Sequence, residues 1–435
     1  MKTAAIHTLG CKVNTYDSEA IMELLEKENY NIVDFKETAD VYVINTCTVT
    51  NLGDRKSRQM IRKAKRNNPD SFVVVCGCYA QTASEQLENM PEVDLIIGND
   101  DRNKIIHYIN SARKKGQRIN AVKNIMALKE YEELKVDEIS GRERGFIKVQ
   151  EGCDQFCTYC IIPYARGPVR SRKPENIIEE AKRMVANGSK ELVLTGINIS
   201  AYGKDLKSAN LLELLKELNA VKELKRIRVS SLEPNLLTKE FLEASSKLEK
   251  VCPHFHVSMQ SGAAKTLRDM KRRYTKEDYL KVVSDIREHF NDPSITTDVM
   301  VGFPGETQED FEETVDYVRK IGFSALHVFK YSKREGTPAA QYDNQVPERI
   351  KEERSKILIE VGEALKSEYQ NKFIGRTMDV LFEQKTDDII GVYQGHTDNY
   401  LSVKVKSNID IESQILKVEL TGVDKGILTG ELTNI

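Results

Sequence analysis

Two successive series of short β-rich runs, most followed by an amphipathic helical stretch, fill most of the chain, and this alternation restricts its fold more than any other feature. A helix between two strands returns the chain to the same end of the sheet, so such strands pair in parallel and both faces of the sheet are covered. In the first series the runs are AAIHTL (4–9), DVYVIN (40–45), SFVVVC (71–76) and VDLII (93–97). Helical patterns follow them; from Ser18 to Glu28, for example, Ile21, Leu24 and Leu25 share one face. A doubly wound parallel α/β sheet over residues 1–120 is expected. The second series opens at Phe146 with FIKVQ, ELVLTG, RIRVSS, FHVSMQ, ITTDVMV and ALHVFKY, separated by helical patterns such as Glu175 to Ala186 and Glu309 to Arg319. Six such units suit a partial, TIM-like barrel over 144–371 better than a flat sheet. Between the series, 121–143 reads as a linker, since KEYEELKVDEISGRERG (Lys129 to Gly145) is highly charged and bounded by glycine.

A long polar helix, about Glu348 to Tyr369, leads out of the second series. From Gly375 the pattern changes to TMDVLFE, DIIGVYQG, YLSVKVK, LKVELTGV and GILTGEL, which predicts a small all-β barrel over 372–435. The fold class is therefore α/β plus all-β. No segment approaches the roughly 18 apolar residues of a membrane span, and Met1 to Gly10 carries no long apolar run, so a cytoplasmic protein without a membrane partner is expected. Eight cysteines in such a chain do not read as a disulfide framework, because cytoplasmic thiols are kept reduced; clustered spacing points to metal or catalysis.

The densest chemical signal is Cys153, Cys157 and Cys160 in EGCDQFCTYCIIP, directly after a predicted strand. Three thiolates so placed can grip three irons of a 4Fe-4S cube and leave the fourth without a protein ligand. A zinc site is the alternative, but structural zinc takes four ligands in closed tetrahedral geometry and no fourth Cys or His lies close by. The remaining cysteines become informative once set on the predicted sheet. Cys11, Cys47 and Cys78 end its first, second and third strands, and in open α/β sheets ligands bind outside the carboxyl ends of strands. A second cluster with three protein ligands fits there. Cys76 competes with Cys78, which is preferred because it lies in the loop beyond the strand; Cys252 has no partner in sequence and reads as structural.

The motifs LGCKVN, NTCTVT, GCYAQ, GCDQFCTYCIIPYARGPVRSR, VGFPGET and YSKREGTPAA occur in this order, and over nearly its whole length the chain resembles the radical S-adenosylmethionine methylthiotransferases. The resemblance implies three parts: an N-terminal methylthiotransferase domain with an auxiliary 4Fe-4S cluster on Cys11, Cys47 and Cys78; a radical barrel with a 4Fe-4S cluster on Cys153, Cys157 and Cys160; and a C-terminal RNA-binding barrel of the TRAM type. The open iron of the radical cluster would be chelated by S-adenosyl-L-methionine, whose reductive cleavage yields a 5′-deoxyadenosyl radical, while the auxiliary cluster would present sulfur. Implied partners are tRNA, an electron donor such as flavodoxin or ferredoxin, and a sulfur donor. The wording TLGCKVN and PYARGPVRSR most resembles the branch that acts on N6-threonylcarbamoyladenosine next to the anticodon; sister branches act on N6-isopentenyladenosine in tRNA or on an aspartate of a ribosomal protein. A zinc-stabilised RNA-binding protein without catalysis is the reading of a different class, and it gives no use to six βα units with two separated triplets. Where many radical enzymes carry a GGE-like run, this chain has Thr195, Gly196, Ile197 and Asn198, which leaves Gly196 and Asn198 as the expected contacts to the cofactor.

Further candidates follow from position. Gly302 and Gly305 of GFPGET sit between a strand and a helix, where backbone approach to the cofactor competes with a plain turn. Asp298 and Gln260 lie near the ends of barrel strands, and Tyr159 lies between cluster ligands. For RNA, Arg55 to Arg66 holds seven basic residues and no acid, making Arg58, Arg62 and Arg66 candidate phosphate contacts. Arg166, Arg170 and Arg172 lie beside the radical cysteines, and Arg166 or Arg170 is a candidate bidentate partner for the substrate carboxylate. Lys271, Arg272, Arg273 and Tyr274 could add stacking. Net charge is −2, and from Lys372 onward seven Lys and Arg face ten Asp and Glu, so any RNA role of the terminal barrel must run through specific side chains such as Tyr393, His396 or Tyr400.

Overall fold

The structure is a computed structural model that describes residues 2–134, 143–207, 209–387 and 391–433. Its first part is a six-stranded parallel sheet in the order Tyr30–Ile32, Lys2–Thr8, Val41–Thr46, Phe72–Gly77, Leu95–Ile96, Ile119–Asn120. Every residue of Val41–Thr46 is buried, as expected for a central strand covered by helices on both faces. Alternation then divides the side chains: Tyr42, Ile44, Val73 and Val75 enter one core, and Val41, Val43, Val74 and Cys76 the other. The outer strands Tyr30–Ile32 and Ile119–Asn120 are too short to carry a periodic signal of their own. The first helix, Lys12–Lys27, begins six residues before the apolar periodicity does. Its opening turns bury Asn14, Asp17 and Ser18, so a buried face is written in polar residues.

Six parallel strands form the second part: Arg144–Glu151, Glu191–Gly196, Arg226–Val229, His254–His256, Ser294–Val301 and Ala325–Lys330. The first three pair laterally, as do the last three, and bridges Ile227 to Val251 and Leu232 to Val257 join the two groups into an open partial barrel. Alternation again decides what faces where. Along Ser294–Val301, Ile295, Val299 and Val301 enter the large core under the outer helices, whereas Ser294, Thr296 and Asp298 line the interior. The interior of this barrel consequently carries polar side chains from this strand among apolar ones such as Val229, Ala325 and Phe329. Tyr16 and Ala20 of the first helix pack into the same core, so the two α/β parts share apolar contacts.

Helix Glu348–Asn371 leads to a closed five-stranded barrel in the order Thr377–Asp387, Val392–Thr397, Ser402–Lys406, Ile427–Leu432, Ile415–Asp424, with its own core of Val380, Phe382, Val403, Val418 and Leu428. Residues 135–142 of the charged segment lie outside the described residues. Its preceding stretch is tied down: Tyr16 Oη donates to Leu134 O (2.7 Å) and Tyr131 Oη to Lys148 O (3.0 Å).

The terminal barrel docks on the amino ends of the second sheet through arginines. Arg226 donates to His396 O (2.9 Å) and Asp379 O (2.7 Å), Arg228 donates to Asp398 O (2.8 Å), and Arg144 bridges Glu191 (2.9 Å) and Glu383 (3.2 Å). Glu191 receives both Nε and Nη2 of Arg228 at 2.7 and 2.9 Å. Burial alone would raise the Glu191 carboxyl; Arg228 and Arg144 outweigh it and hold the group at about 2. A carboxyl depressed on folding stabilises the fold above its unfolded value near 4.5, and that contribution is lost as pH falls through about 2. Glu191→Gln should therefore lower the midpoint of urea unfolding at pH 7, yet flatten its fall between pH 4.5 and 2 relative to the parent chain; parallel acid profiles would contradict this role for Glu191.

Candidate functional site

Parallel strands deliver their carboxyl ends to one edge, and three thiols meet there. Cys11 immediately precedes helix Lys12–Lys27, Cys47 follows strand Val41–Thr46, and Cys78 opens the short helix Cys78–Thr82. Gly10, at φ +110°, brings its loop so close to Cys47 that an added Cβ would lie 3.2 Å from the Cys47 sulfur. Asn99 Nδ2 and Arg166 Nε both donate to Cys78 Sγ, at 3.6 and 3.1 Å. Burial pushes the Cys47 thiol up to about 11, whereas Cys11 sits exposed at the rim of the site. Cys76 is different. It sits in the apolar core with Ile21, Leu25 and Leu95, where burial pushes it to about 12, whereas the positive φ of Gly77 ends the strand and turns Cys78 out of that pattern. Cys252 is buried beside Arg228.

The second triplet follows strand Arg144–Glu151. Gly152 is required at the turn, since a Cβ there would lie 1.8 Å from Pro168 O. Backbone bonds then fix the loop: Cys153 N donates to Gly167 O (3.0 Å), Thr158 N to Met270 O (3.1 Å) and Ala339 N to Thr158 O (2.8 Å). Two side chains point N–H groups at its sulfurs, Asn198 Nδ2 at Cys153 Sγ (3.7 Å) and Arg272 Nη1 at Cys157 Sγ (3.4 Å). Burial pushes Cys153 to about 11 and Cys160 to about 12. Thiols so raised stay protonated until a metal displaces the protons, and N–H donors aimed at sulfur are the groups that stabilise metal-bound thiolates. Among the described residues, no three His, Cys, Asp or Glu side chains gather closely enough for a single metal ion.

A buried charge network lies between the triplets. Asp17 accepts from Arg102, Lys148 and Arg166; Glu151 accepts from Arg166 (3.0 Å) and Lys148 (3.2 Å); Glu132 accepts from Arg102 (2.9 Å). Burial opposes ionisation of Asp17 and Glu151, but these cations prevail and hold both carboxyls below their ordinary values. A second buried group joins Arg172 to Glu180 (2.7 Å) and Glu133 (2.8 Å).

The interior of the open barrel is a cavity of about 770 Å³, lined among others by Cys11, Lys12, Gly196, His256, Asp298 and Tyr400. It touches all three parts of the chain. His256 Nε2 lies 3.4 Å from Asp298 Oδ1, and its Nδ1 lies 3.0 Å from Thr296 Oγ1. A depression of about 900 Å³ on the terminal barrel, beside Lys406 and Thr429, lies apart from every thiol.

Several expectations are corrected by this geometry. Arg166, Arg170 and Arg172 are buried, and Arg166 and Arg172 spend their charge on carboxylates, so they cannot reach tRNA phosphates, nor can Arg166 or Arg170 take a substrate carboxylate from the cavity. Arg272 and Tyr274 turn inward and bond to each other (3.2 Å), which leaves only Lys271 and Arg273 of that run exposed. Gly302 does not open backbone toward the cavity: a Cβ there would lie 2.3 Å from Lys351 Cγ, so the glycine admits the long helix. Gly305, at φ +81°, serves a turn whose carbonyl accepts from Lys265 Nζ (2.6 Å). Tyr159 packs against the cluster of Met270, Phe303, Tyr331 and Ala339. Gln260, at φ +71°, joins neighbouring strands through its backbone, donating to Asp298 O (2.8 Å) and accepting from Met300 N (2.8 Å). Gly196 and Asp298 line the cavity, and Asn198 lies against Cys153.

The basic run lies on helix Asn51–Asn67, whose first turn carries Asp54. Arg58 donates to Tyr79 Oη (2.8 Å), Arg62 lies 3.8 Å from Glu92, and Arg55, Lys56 and Arg66 are exposed. Of the aromatic candidates on the terminal barrel, Tyr393 is buried in its core and Tyr400 turns toward the cavity. Asn99 was not legible as a site residue; it belongs to a polar loop, and only folding sets it against Cys78.

Residues 3–98 match the family described as uncharacterized protein family UPF0004, and residues 147–318 match the radical SAM superfamily. The chain is 46% identical over 423 residues (97% of this chain, 94% of the relative) to the threonylcarbamoyladenosine tRNA methylthiotransferase MtaB of Bacillus subtilis (strain 168). It is 37% identical over 444 residues (99% and 92%) to the tRNA-2-methylthio-N(6)-dimethylallyladenosine synthase of Caldicellulosiruptor saccharolyticus. Among solved structures, the radical S-adenosylmethionine methyltransferase TsrM from Kitasatospora setae, with cobalamin and a 4Fe-4S cluster bound, superposes with a TM-score of 0.58 at 17% identity, covering 78% of this chain and 77% of that one. That likeness concerns the fold alone.

Arg166 decides between a structural and an RNA-binding reading of the arginines beside Cys160. Arg166→Met leaves Asp17 and Glu151 buried with one cation fewer, which should destabilise the chain by about 3–5 kcal/mol in urea unfolding. Unchanged stability with weakened tRNA binding would restore the surface role.

Proposed function

This chain belongs to the radical S-adenosylmethionine methylthiotransferases, and on that premise we propose that it transfers a methylthio group to N6-threonylcarbamoyladenosine of tRNA. The observation that carries this reading is the 46% identity over 97% of the chain to a relative so named. The relatives that act on the dimethylallyl nucleoside share less, 37% for one of similar coverage. A physical contrast supports the same choice. The cavity beside Cys11 sets the cation of Lys12 and the paired His256 and Asp298 among apolar walls such as Val229 and Phe329, and a dimethylallyl group offers no anion to that lysine.

Two 4Fe-4S clusters and S-adenosyl-L-methionine are the cofactors of this reading, one cluster on Cys153, Cys157 and Cys160 and the other on Cys11, Cys47 and Cys78. When bound, they supply the reductive cleavage of S-adenosylmethionine and the sulfur that is transferred. The protein's own share is orientation and exclusion of water. Asn198 and Arg272 direct N–H groups at Cys153 and Cys157, Asn99 and Arg166 at Cys78. The helix after Cys47 sets exposed Arg55, Lys56, Arg62 and Arg66 beside the same edge, where cations attract the phosphates of tRNA; the terminal barrel carries more acids than bases and leaves this steering to the helix. An electron donor such as flavodoxin or ferredoxin and a sulfur donor complete the requirements, in the cytoplasm. Among the described residues no helix is long and apolar enough to cross a membrane.

The substrate is tested by incubating the reconstituted enzyme with tRNA that carries or lacks the threonylcarbamoyl group and digesting the product for mass spectrometry. A 2-methylthio derivative is expected only from the modified tRNA; equal product from both, or product only from isopentenylated tRNA, rejects the substrate assignment.

The two triplets are separated by their losses. Alanine at Cys153, Cys157 and Cys160 should abolish reductive formation of 5′-deoxyadenosine. Alanine at Cys11, Cys47 and Cys78 should keep that cleavage while removing methylthiolated tRNA, with iron content falling by about half in either variant. Cys76→Ala should retain both activities. An essential Cys76 beside a dispensable Cys78 would reverse the assignment of that ligand.

A further inference from the structure

We infer that the lumen of the open barrel receives the N6 side chain of the target nucleoside and that Lys12 is the cation that pairs with its threonyl carboxylate. The inference rests on the substrate proposed above and deepens it. Lys12 stands next to Cys11 at the start of the first helix and lines the cavity, whose floor is formed by Tyr400 with Arg144 and Arg228 packed against its ring. The arginines there are engaged: Arg144 with Glu191 and Glu383, Arg228 with Glu191 and two carbonyls of the terminal barrel. Two lysines line the cavity, Lys12 beside Cys11 and Lys366 beside Gly426 of the terminal barrel; among the described residues neither forms a salt bridge, and Lys12 is the one that stands next to a thiol.

The floor supplies a second, independent observation. His254 is 8% exposed, lines the cavity, and its Nδ1 has no hydrogen-bond partner. Its ring packs 4.7 Å from Tyr400, which the terminal barrel inserts at φ +68° between His254 and His396, with Arg228 4.7 Å from the same ring. A buried polar atom without a partner costs free energy unless a ligand or water meets it. Higher in the lumen, the His256 and Asp298 pair adds a further donor and acceptor.

A threonylcarbamoyl group carries a carboxylate, a hydroxyl and urea N–H groups, so it offers an anion for Lys12 and donors for Asp298. Chemical connectivity gives the direction. In adenine the 2-position and the 6-amino group flank the same ring nitrogen, so a base whose C2 faces the thiol rim at Cys11 turns its N6 substituent to the adjoining wall, where Lys12 stands. A neutral hydrocarbon in that place would strip water from Lys12 and return neither a charge nor a hydrogen bond.

The test uses the reconstituted full-length enzyme and two anticodon stem-loop RNAs, one carrying N6-threonylcarbamoyladenosine and one with its threonyl carboxylate converted to the primary amide. Dissociation constants and methylthiolation rates are measured for the parent enzyme, Lys12→Met and Lys12→Arg. Changing the carboxylate to the amide should weaken parent binding roughly 10- to 100-fold, as expected for a lost charged hydrogen bond. Lys12→Met should weaken the carboxylate RNA by a similar factor and lose the preference between the two RNAs, and Lys12→Arg should restore much of it. Full carboxylate preference in Lys12→Met, or a defect confined to the KM for S-adenosylmethionine, overturns the inference while leaving the substrate assignment intact. A parent enzyme that makes no methylthio product from threonylcarbamoylated tRNA overturns the substrate assignment, and the inference with it.

Discussion

Six buried charges hold the two thiol triplets in one molecule. Asp17 comes from the helix that begins beside Cys11, Lys148 and Glu151 from the strand that leads to Cys153, and Arg166 from the turn after Cys160. Arg102 and Glu132 complete three cations against three anions. Taking ions out of water costs several kcal/mol each, so such a group is tolerated only when every member is paired in good geometry. That requirement confers precision. A displacement of one α/β part against the other would strand a buried charge, and Arg166 ties the network directly to the Cys78 sulfur. Apolar contacts such as those of Tyr16 and Ala20 supply attraction between the parts, but they would tolerate small slips that the charges do not.

Alternation along strands also puts polar side chains into the interior of the open barrel. Ser294, Thr296 and Asp298 face inward because Ile295, Val299 and Val301 must face the helices. Tyr400 then closes the floor, gripped by arginines whose own carboxylate, Glu191, is buried in the same joint. The terminal barrel is thereby part of the cavity wall. Its acidic surface and its buried Tyr393 give it little in common with a general phosphate binder, and the exposed cations lie on the helix after Cys47 instead.

Both thiol triplets could be grouped from the sequence, for different physical reasons. Cys153, Cys157 and Cys160 are local, and eight residues suffice to propose a shared metal group. Cys11, Cys47 and Cys78 are far apart, but a parallel sheet brings all its carboxyl ends to one edge, so topology stands in for proximity. The preference for Cys78 over Cys76 rests on where a strand ends: Gly77 closes it, and Cys76 lies in the apolar core. The arginines misled. Arg166, Arg170 and Arg172 read as candidate RNA contacts beside the radical cysteines because sequence shows their charge and hides their partners, which lie up to 156 residues away at Tyr16.

Properties that repeat locally or depend on strand order were legible along the chain: two parallel α/β parts, a terminal β-barrel, cysteines at strand ends and membership of a family whose motifs span the chain. Which polar side chains are buried, and with whom, emerges only from long-range contacts. Hydrophobic periodicity reports how much of a helix or strand is covered when the covered residues are apolar; it is silent when Asn14, Asp17 and Arg102 do the packing. A charge in sequence is equally consistent with water, a phosphate or a buried partner, and only the three-dimensional arrangement, by placing Arg166 against Asp17 and Glu151 and leaving Lys12 at the cavity wall, separates those outcomes.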